Sequence, residues 1–318
     1  MKTRAWLSFW ILGIIWGASF LLIRIGVEDI PATELVLIRV VIAAIGLNLV
    51  RIYKGQKLPR DWATNRDFIL IGVGNTTIPY TFISLGEQNI SSGMAAVLQA
   101  TAALFTLVIA HFFFSDERIT KRKAWGLAVG FVGIIVLSSK SIEGGVLDTP
   151  ILLGQLAIMC ASIFYAVFIV YSRKLLNRNI TPIVVSSGTF LFGAFWSVLF
   201  VILEPLLGGR AFIPFQDLPA DSLNAALGLG FFNTFIAYLF FYFIIQQLGA
   251  FRASMVTYIV PVVGLLLGWL ILDEVIDITI IGGAALIFVG IAIINLNFRQ
   301  LFNSRRQIAK VKTSEAST

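Results

Sequence analysis

The feature that most constrains this chain is a repeat. Residues 91–137 read as an apolar span, an acidic punctuation mark (Ser115-Asp116-Glu117-Arg118) and a second, glycine-rich apolar span. Residues 253–294 repeat that order with Asp273-Glu274 in the place of Asp116-Glu117, at an offset of 157 residues from Glu117 to Glu274. Gly126 and Gly133 find Gly283 and Gly290 at the same offset. Such self-similarity fixes architecture before any site can be argued, because whatever the first half folds into the second half should fold into as well.

The repeated unit is too apolar for water. Hydrophobic residues make up 58% of the chain and charged ones only 13%, where a soluble domain carries about 25% charged residues. A helix needs roughly 20 mostly apolar residues to span a bilayer. Ten stretches qualify: 5–24, 32–52, 67–86, 92–114, 122–140, 150–172, 181–204, 221–245, 250–272 and 277–298. The expected fold is therefore an all-α integral membrane protein of ten transmembrane helices. It divides into two five-helix repeats, 5–140 and 150–298, followed by a polar tail, 303–318, expected to be a disordered cytoplasmic segment. The gaps between spans are short and hold no second folded domain.

Lysine and arginine set the orientation. With the N-terminus inside, twenty of them fall in the inward-facing segments and only Lys140 and Arg210 in the outward-facing ones. Both termini are expected to be cytoplasmic. Lys2 and Arg4 before an apolar run, with Gly17-Ala18-Ser19 after it, imitate a signal peptide. Nine further spans favour reading it as an uncleaved first helix.

Five spans per half is an odd number, so the second half starts on the opposite side of the membrane and the repeats should be inverted. Inverted repeats recur in secondary transporters, with the substrate site near mid-membrane at the repeat interface. The repeated polar residues fall where such a site would be. Shifting the offset to 158 aligns Asn75-Thr76-Thr77-Ile78-Pro79-Tyr80 with Asn233-Thr234-Phe235-Ile236-Ala237-Tyr238. Thr76 and Tyr80, like Thr234 and Tyr238, are four residues apart and share a helix face. Pro79 lacks a backbone donor and should leave the Asn75 carbonyl without its helical partner. In hydrocarbon that carbonyl must face protein or a wet cavity. Gln99 and Thr101 in the fourth span match Thr257 and Tyr258 in the ninth, where Pro261 acts in the same way. Interhelical hydrogen bonding that merely glues the bundle is the competing reading of these residues.

Arg39 sits inside the second span, and a buried cation there needs a partner or a wet cavity. It could hold an anionic group of a substrate, or pair with Glu34 or Glu87. Arg24 is expected to snorkel from the end of the first span. The candidate substrate-binding set is Trp16, Arg39, Asn75, Thr76, Tyr80, Gln99, Asn233, Thr234, Tyr238 and Tyr258, with Tyr165 and Tyr171 undecided between cavity wall and interface belt. The spacings Gly13/Gly17, Gly126/Gly130 and Gly264/Gly268 favour close helix packing, with homodimerisation as the alternative.

Several classes are disfavoured. One cysteine (Cys160) and one histidine (His111) leave no disulfide, metal cage or catalytic triad to build, and no cofactor is called for. The net charge of +7 is dispersed between spans, which argues against nucleic acid; the expected partners are a small-molecule substrate and the lipid bilayer. No acidic residue lies in the middle of a span, so no central carboxylate is available to exchange a proton for a cation. A lipid-modifying membrane enzyme would want a His/Asp/Glu cluster at one face. A channel would want rings of like charge or a carbonyl filter. Neither signature is present.

Taken together, Trp16-Gly17, Arg39 opening the second span, Ala100-Thr101-Ala102-Ala103-Leu104-Phe105-Thr106 with Asp116-Glu117-Arg118, Pro261 with Asp273-Glu274, and the glycine-rich fifth and tenth spans resemble the drug/metabolite transporter superfamily, EamA type. The resemblance covers about residues 5–298. It implies two EamA repeats in a bacterial plasma membrane, alternating access, and movement of a small amino-acid- or metabolite-like solute, often outward. The chain departs from the family at Ala103, where the first repeat often has proline. It also lacks the first-helix glutamate of the small multidrug exporters, so their cationic-drug antiport mechanism should not be carried over.

Overall fold

The computed structural model describes residues 2–143, 146–176, 178, 180–206 and 208–295; the tail expected at 303–318 lies outside them. Among the described residues, ten helical segments are long and apolar enough to cross a membrane: α1 (Thr3–Asp29), α2 (Ala32–Tyr53), α3 (Trp62–Gly86), α4 (Ser92–Phe113), α5 (Lys121–Ser141), α6 (Thr149–Arg173), α7 (Pro182–Leu206), α8 (Ala220–Leu248), α9 (Arg252–Leu272) and α10 (Ile278–Asn295). Between α5 and α6, Ile142–Glu143 pairs antiparallel with Val146–Leu147, the only β structure among the described residues. The near end of the bundle, below, is the end at which α1 starts; the far end is the other.

Local chemistry starts and stops the helices as the residue types dictate. Asp61 and Ser91 accept the backbone N–H groups of Thr64 (2.8 Å) and Met94 (3.2 Å), capping α3 and α4. Asp277 accepts from Ile280 N at 2.9 Å to cap α10 and pairs with Lys140 at the end of α5. Gly249 breaks α8 from α9 at φ 87°, a backbone that a side chain would strain.

The most extensive neighbour relations keep their form when each helix is exchanged for the one five later. The pair α1/α9 has its counterpart in α6/α4, α2/α8 in α7/α3, and α3/α6 in α8/α1; α2/α7, α4/α9 and α5/α10 map onto themselves. The α5/α10 pair shows this at atomic detail. A Cβ built on Gly126 would stand 2.7 Å from Gly290 O, and one built on Gly133 would stand 2.8 Å from Gly283 O. The glycines that repeat in sequence are thus the ones that let two backbones touch. The other glycine pairs also pack within the chain: Gly13 and Gly17 meet Ile259 and Val263 of α9, and Gly264 meets Ala96 of α4.

Two helices of each half are irregular at matching depths. α3 widens into a π turn at Val73–Thr77 and α8 into one at Phe231–Ile236, on the repeated Asn-Thr. α4 is interrupted at Ala100-Thr101, between the helices Ser92–Gln99 and Ala102–Phe113. α9 has a tight 3-10 turn at Met255–Tyr258 before its main helix Val260–Leu272. Proline is not what decides these positions. α8 has Ala237 where α3 has Pro79, and α4 has Ala103 where the family often has proline, yet each is irregular. In α8 the Thr234 hydroxyl donates to Leu229 O, five residues back, at 2.8 Å; in α3 the Thr77 hydroxyl instead lies closest to Gly193 O of α7, at 2.9 Å, with Gly72 O at 3.4 Å. Such π turns recur at functional sites.

Candidate functional site

The two π turns face a group of rings around one buried cation. Arg39, 7% exposed on α2, donates from Nε to Thr234 Oγ1 of α8 at 2.8 Å. Its guanidinium carbon lies 4.0 Å from the centroid of the Tyr80 ring on α3. An arginine over a tyrosine face is attracted by the ring quadrupole, more strongly where water is excluded. Tyr80, itself 6% exposed, stands 6.4 Å from Tyr165 of α6. Tyr238, one turn after Thr234, meets Phe190 of α7 at 4.9 Å, Tyr242 at 6.0 Å and Trp16 of α1 at 6.4 Å. Helices from both halves therefore build one aromatic cage.

Arg39 has no carboxylate partner. Among the described residues no acidic side chain lies within ion-pair distance of it, and its two Nη groups donate to no protein acceptor. The expected pairing with Glu34 or Glu87 is not formed. Glu34 instead accepts Ile213 N at 3.0 Å, pinning the α7–α8 connection to α2. Glu87 points its carboxylate at no hydrogen-bond donor. Arg24, half-buried near the far end of α1, donates from Nη1 to Glu87 O at 2.8 Å.

Of the ten sequence candidates, Arg39, Tyr80, Thr234, Tyr238 and Trp16 are brought together. Asn233 is adjacent, its side-chain amide donating to Ile15 O beside Trp16. Thr76 is buried against α7, its methyl 3.4 Å from where a Cβ on Gly193 would be, and acts in packing. Asn75 Oδ1 and Gln99 Oε1 are buried at the two irregular turns of the first half with no hydrogen-bond partner. Tyr258 is not in the cage. Its hydroxyl accepts Asn295 Nδ2 at 2.8 Å, which ties it to the near end of α10. The sequence reading missed Tyr242 and Phe190; the four-residue step from Tyr238 to Tyr242 was the available signal.

Among the described residues, two surface hollows lie away from Arg39 and the tyrosines around it. One, at the far end, is lined by Trp269, Asp273 and Glu274; the other lies between α1 and α8 near Arg4, Ser8 and Phe243. Arg39 and Tyr80 are both buried.

The model of the EamA-like transporter family matches the chain twice, over residues 4–139 and 152–296. The chain belongs to that family. It is 32% identical over 260 residues to an uncharacterized inner membrane transporter of Escherichia coli, YedA, covering 81% of this chain and 79% of that one. It is 24% identical over 297 residues to a protein of Salmonella typhimurium named a probable amino-acid metabolite efflux pump, covering 90% and 93%. A crystal structure 20% identical to it superposes with a TM-score of 0.65 over 94% of this chain and 99% of that one, which speaks to the fold alone. The protein is a multi-pass membrane transporter.

Proposed function

We propose that this transporter moves a small amphipathic solute bearing a carboxylate, of amino-acid type, by alternating access between two inverted five-helix halves, and that Arg39 holds the carboxylate. The observation that carries the reading is Arg39 itself: a buried guanidinium fixed by Thr234 and Tyr80, with no acidic partner and two Nη groups unspent. That planar fork matches a carboxylate bidentately. The rings of Tyr80, Tyr165, Tyr238 and Trp16 would cover the solute's apolar part. Support for the inverted arrangement comes from the antiparallel glycine contact of α5 and α10 and from helix neighbours that survive exchange of the halves. The name of the Salmonella relative favours an amino acid over other carboxylates.

The test is flux into proteoliposomes holding each of the common amino acids in turn, with unlabelled solute inside to drive exchange. Saturable exchange of one or a few amino acids is expected, abolished in Arg39→Gln and weak in Arg39→Lys, where the point charge of lysine cannot replace the fork. Exchange unaffected by Arg39→Gln would remove the guanidinium from the site.

A further inference from the structure

Just past the end of α3, Glu87 is completely buried, and neither of its carboxylate oxygens has a hydrogen-bond partner. That is an unusual position for a charge. A buried charge is costly unless paired and hydrogen-bonded. Arg24 spends its contact on the Glu87 backbone carbonyl rather than the carboxylate. The helix end is unfavourable as well: Glu87 N bonds Ile83 O at 3.0 Å, so the carboxyl stands at the negative end of the α3 dipole. Three charged groups act on it from the elements packed around it. Arg24 of α1 and Arg39 of α2 favour the ionised form; Glu274, just after α9, opposes it. α6 carries no charged residue before Arg173, and the first half of α4 carries none. Burial outweighs the two arginines and pushes the Glu87 carboxyl well above the ordinary carboxylate range.

We propose that Glu87 is the proton-binding group of this transporter, linked through Arg39 to the occupancy of the cage. The proposal rests on Arg39 being the solute's anchor. A solute carboxylate on Arg39 cancels one of the two positive charges that stabilise ionised Glu87, so Glu87 holds its proton more tightly. Reciprocity then requires that protonated Glu87 favour the anion on Arg39. Solute and proton bind together. The proton is bound on the carboxylate and leaves from it unchanged; no other bond is made or broken. Glu274 sits at the same end and does mechanical work nearby: it accepts Ser92 N (2.6 Å) and Gly93 N (3.0 Å), clasping the start of α4 to the end of α9. Ionising Glu87 places a second negative charge beside that clasp.

One arm of the test needs no solute. A group whose folded pKa is raised costs the native state stability as pH rises above the unfolded value near 4.3. Glu87→Gln removes that cost and keeps the shape. The melting temperature of the wild type should therefore equal or exceed that of Glu87→Gln at acid pH and fall below it as pH rises. If the wild type instead gains on Glu87→Gln as pH rises, Glu87 is an ionised, paired carboxylate and the proposal is wrong. Should Glu87→Gln fail to fold, the protonated-carboxyl infrared band of the wild type at neutral pH, displaced in Glu87→Asp, replaces it; absence of such a band overturns the proposal. Arg39→Gln should push the titration of that band still higher, and no shift would break the linkage. The second arm uses the amino-acid panel. With the membrane potential clamped, an imposed pH gradient should drive uphill accumulation in the wild type and at least tenfold less in Glu87→Gln, while equal-pH exchange survives. Accumulation that persists in Glu87→Gln overturns the proposal. If no amino acid moves at all, the solute reading fails, and the melting and infrared results still decide whether Glu87 holds a proton.

Discussion

At the scale of single residues, the cage separates two kinds of contact that the sequence shows alike. Thr76 and Thr234 occupy equivalent positions of the repeat, but one packs against Gly193 and the other holds Arg39. The difference arises because only α2 carries an arginine at this depth. The sequence could place Arg39 in the membrane and demand a partner for it. It could not choose between acids that lie close along the chain and a ring and hydroxyl that lie far from it. Glu34 and Glu87 lost because both point away, one to a backbone N–H and one to nothing. If the Tyr80 face holds the guanidinium, ring identity matters more than the hydroxyl. Tyr80→Phe should keep amino-acid exchange within about twofold of wild type. Tyr80→Leu should lose about tenfold, corresponding to ~1.4 kcal/mol, within the range of a desolvated cation–π contact. Equal exchange rates in the two variants would show that the ring is only filling space.

At the scale of elements, the ten spans were legible to within a few residues because length and hydropathy are read directly against the bilayer. The irregular turns were legible in place but not in cause. The repeated Asn-Thr marks both π turns, yet proline is present in only one of them, so proline does not account for the widened backbone. Tyr258 was misplaced for a related reason: span-level alignment gives depth but not the face that a tight turn presents, and here that face is turned toward Asn295. The glycine pairs carry a sharper consequence. Adjacent glycines on α10 have opposite surroundings: a Cβ on Gly283 would stand 2.5 Å from Leu137 Cγ and 3.1 Å from the backbone oxygen of Gly133, whereas a Cβ on Gly282 meets nothing within 4 Å. Gly290 is tighter still, 2.5 Å from Gly126 O. Gly290→Ala should therefore destabilise by about 1–3 kcal/mol through overpacking against backbone. Gly282→Ala should be neutral or stabilising by up to about 1 kcal/mol through helix propensity. Melting of the purified variants in one detergent reads both, and the opposite order would mean that α5 and α10 do not touch along this seam.

At the scale of the whole molecule, the halves are tied to each other at both ends, which is what a transporter needs if closing one end is to accompany opening the other. The far end is held by Glu274 on the start of α4 and by Arg210 on Asp29 O (2.8 Å). The near end is held by Arg178 on Asp67 (2.8 Å), Tyr171 on Asp67 (2.6 Å) and Thr181 on Gln56 (2.6 Å). The lysines and arginines between spans crowd the near end and the far end has only Lys140 and Arg210, so the near end is expected to face the cytoplasm. The turns at Gly55 and Gly208 allow a direct check. Both glycines adopt positive φ, 65° and 83°, and a Cβ at either would meet nothing within 4 Å, so a short epitope should be tolerated there. An epitope at Gly55 is expected to be labelled only after the membrane is permeabilised, and one at Gly208 in intact cells. A reporter fused after Thr318 should act on the cytoplasmic side, as the Gly55 epitope does. Labelling of both epitopes from the same side would put an even number of spans between them instead of the five observed helices α3 to α7, and the odd count on which the inversion of the halves depends would fall with it.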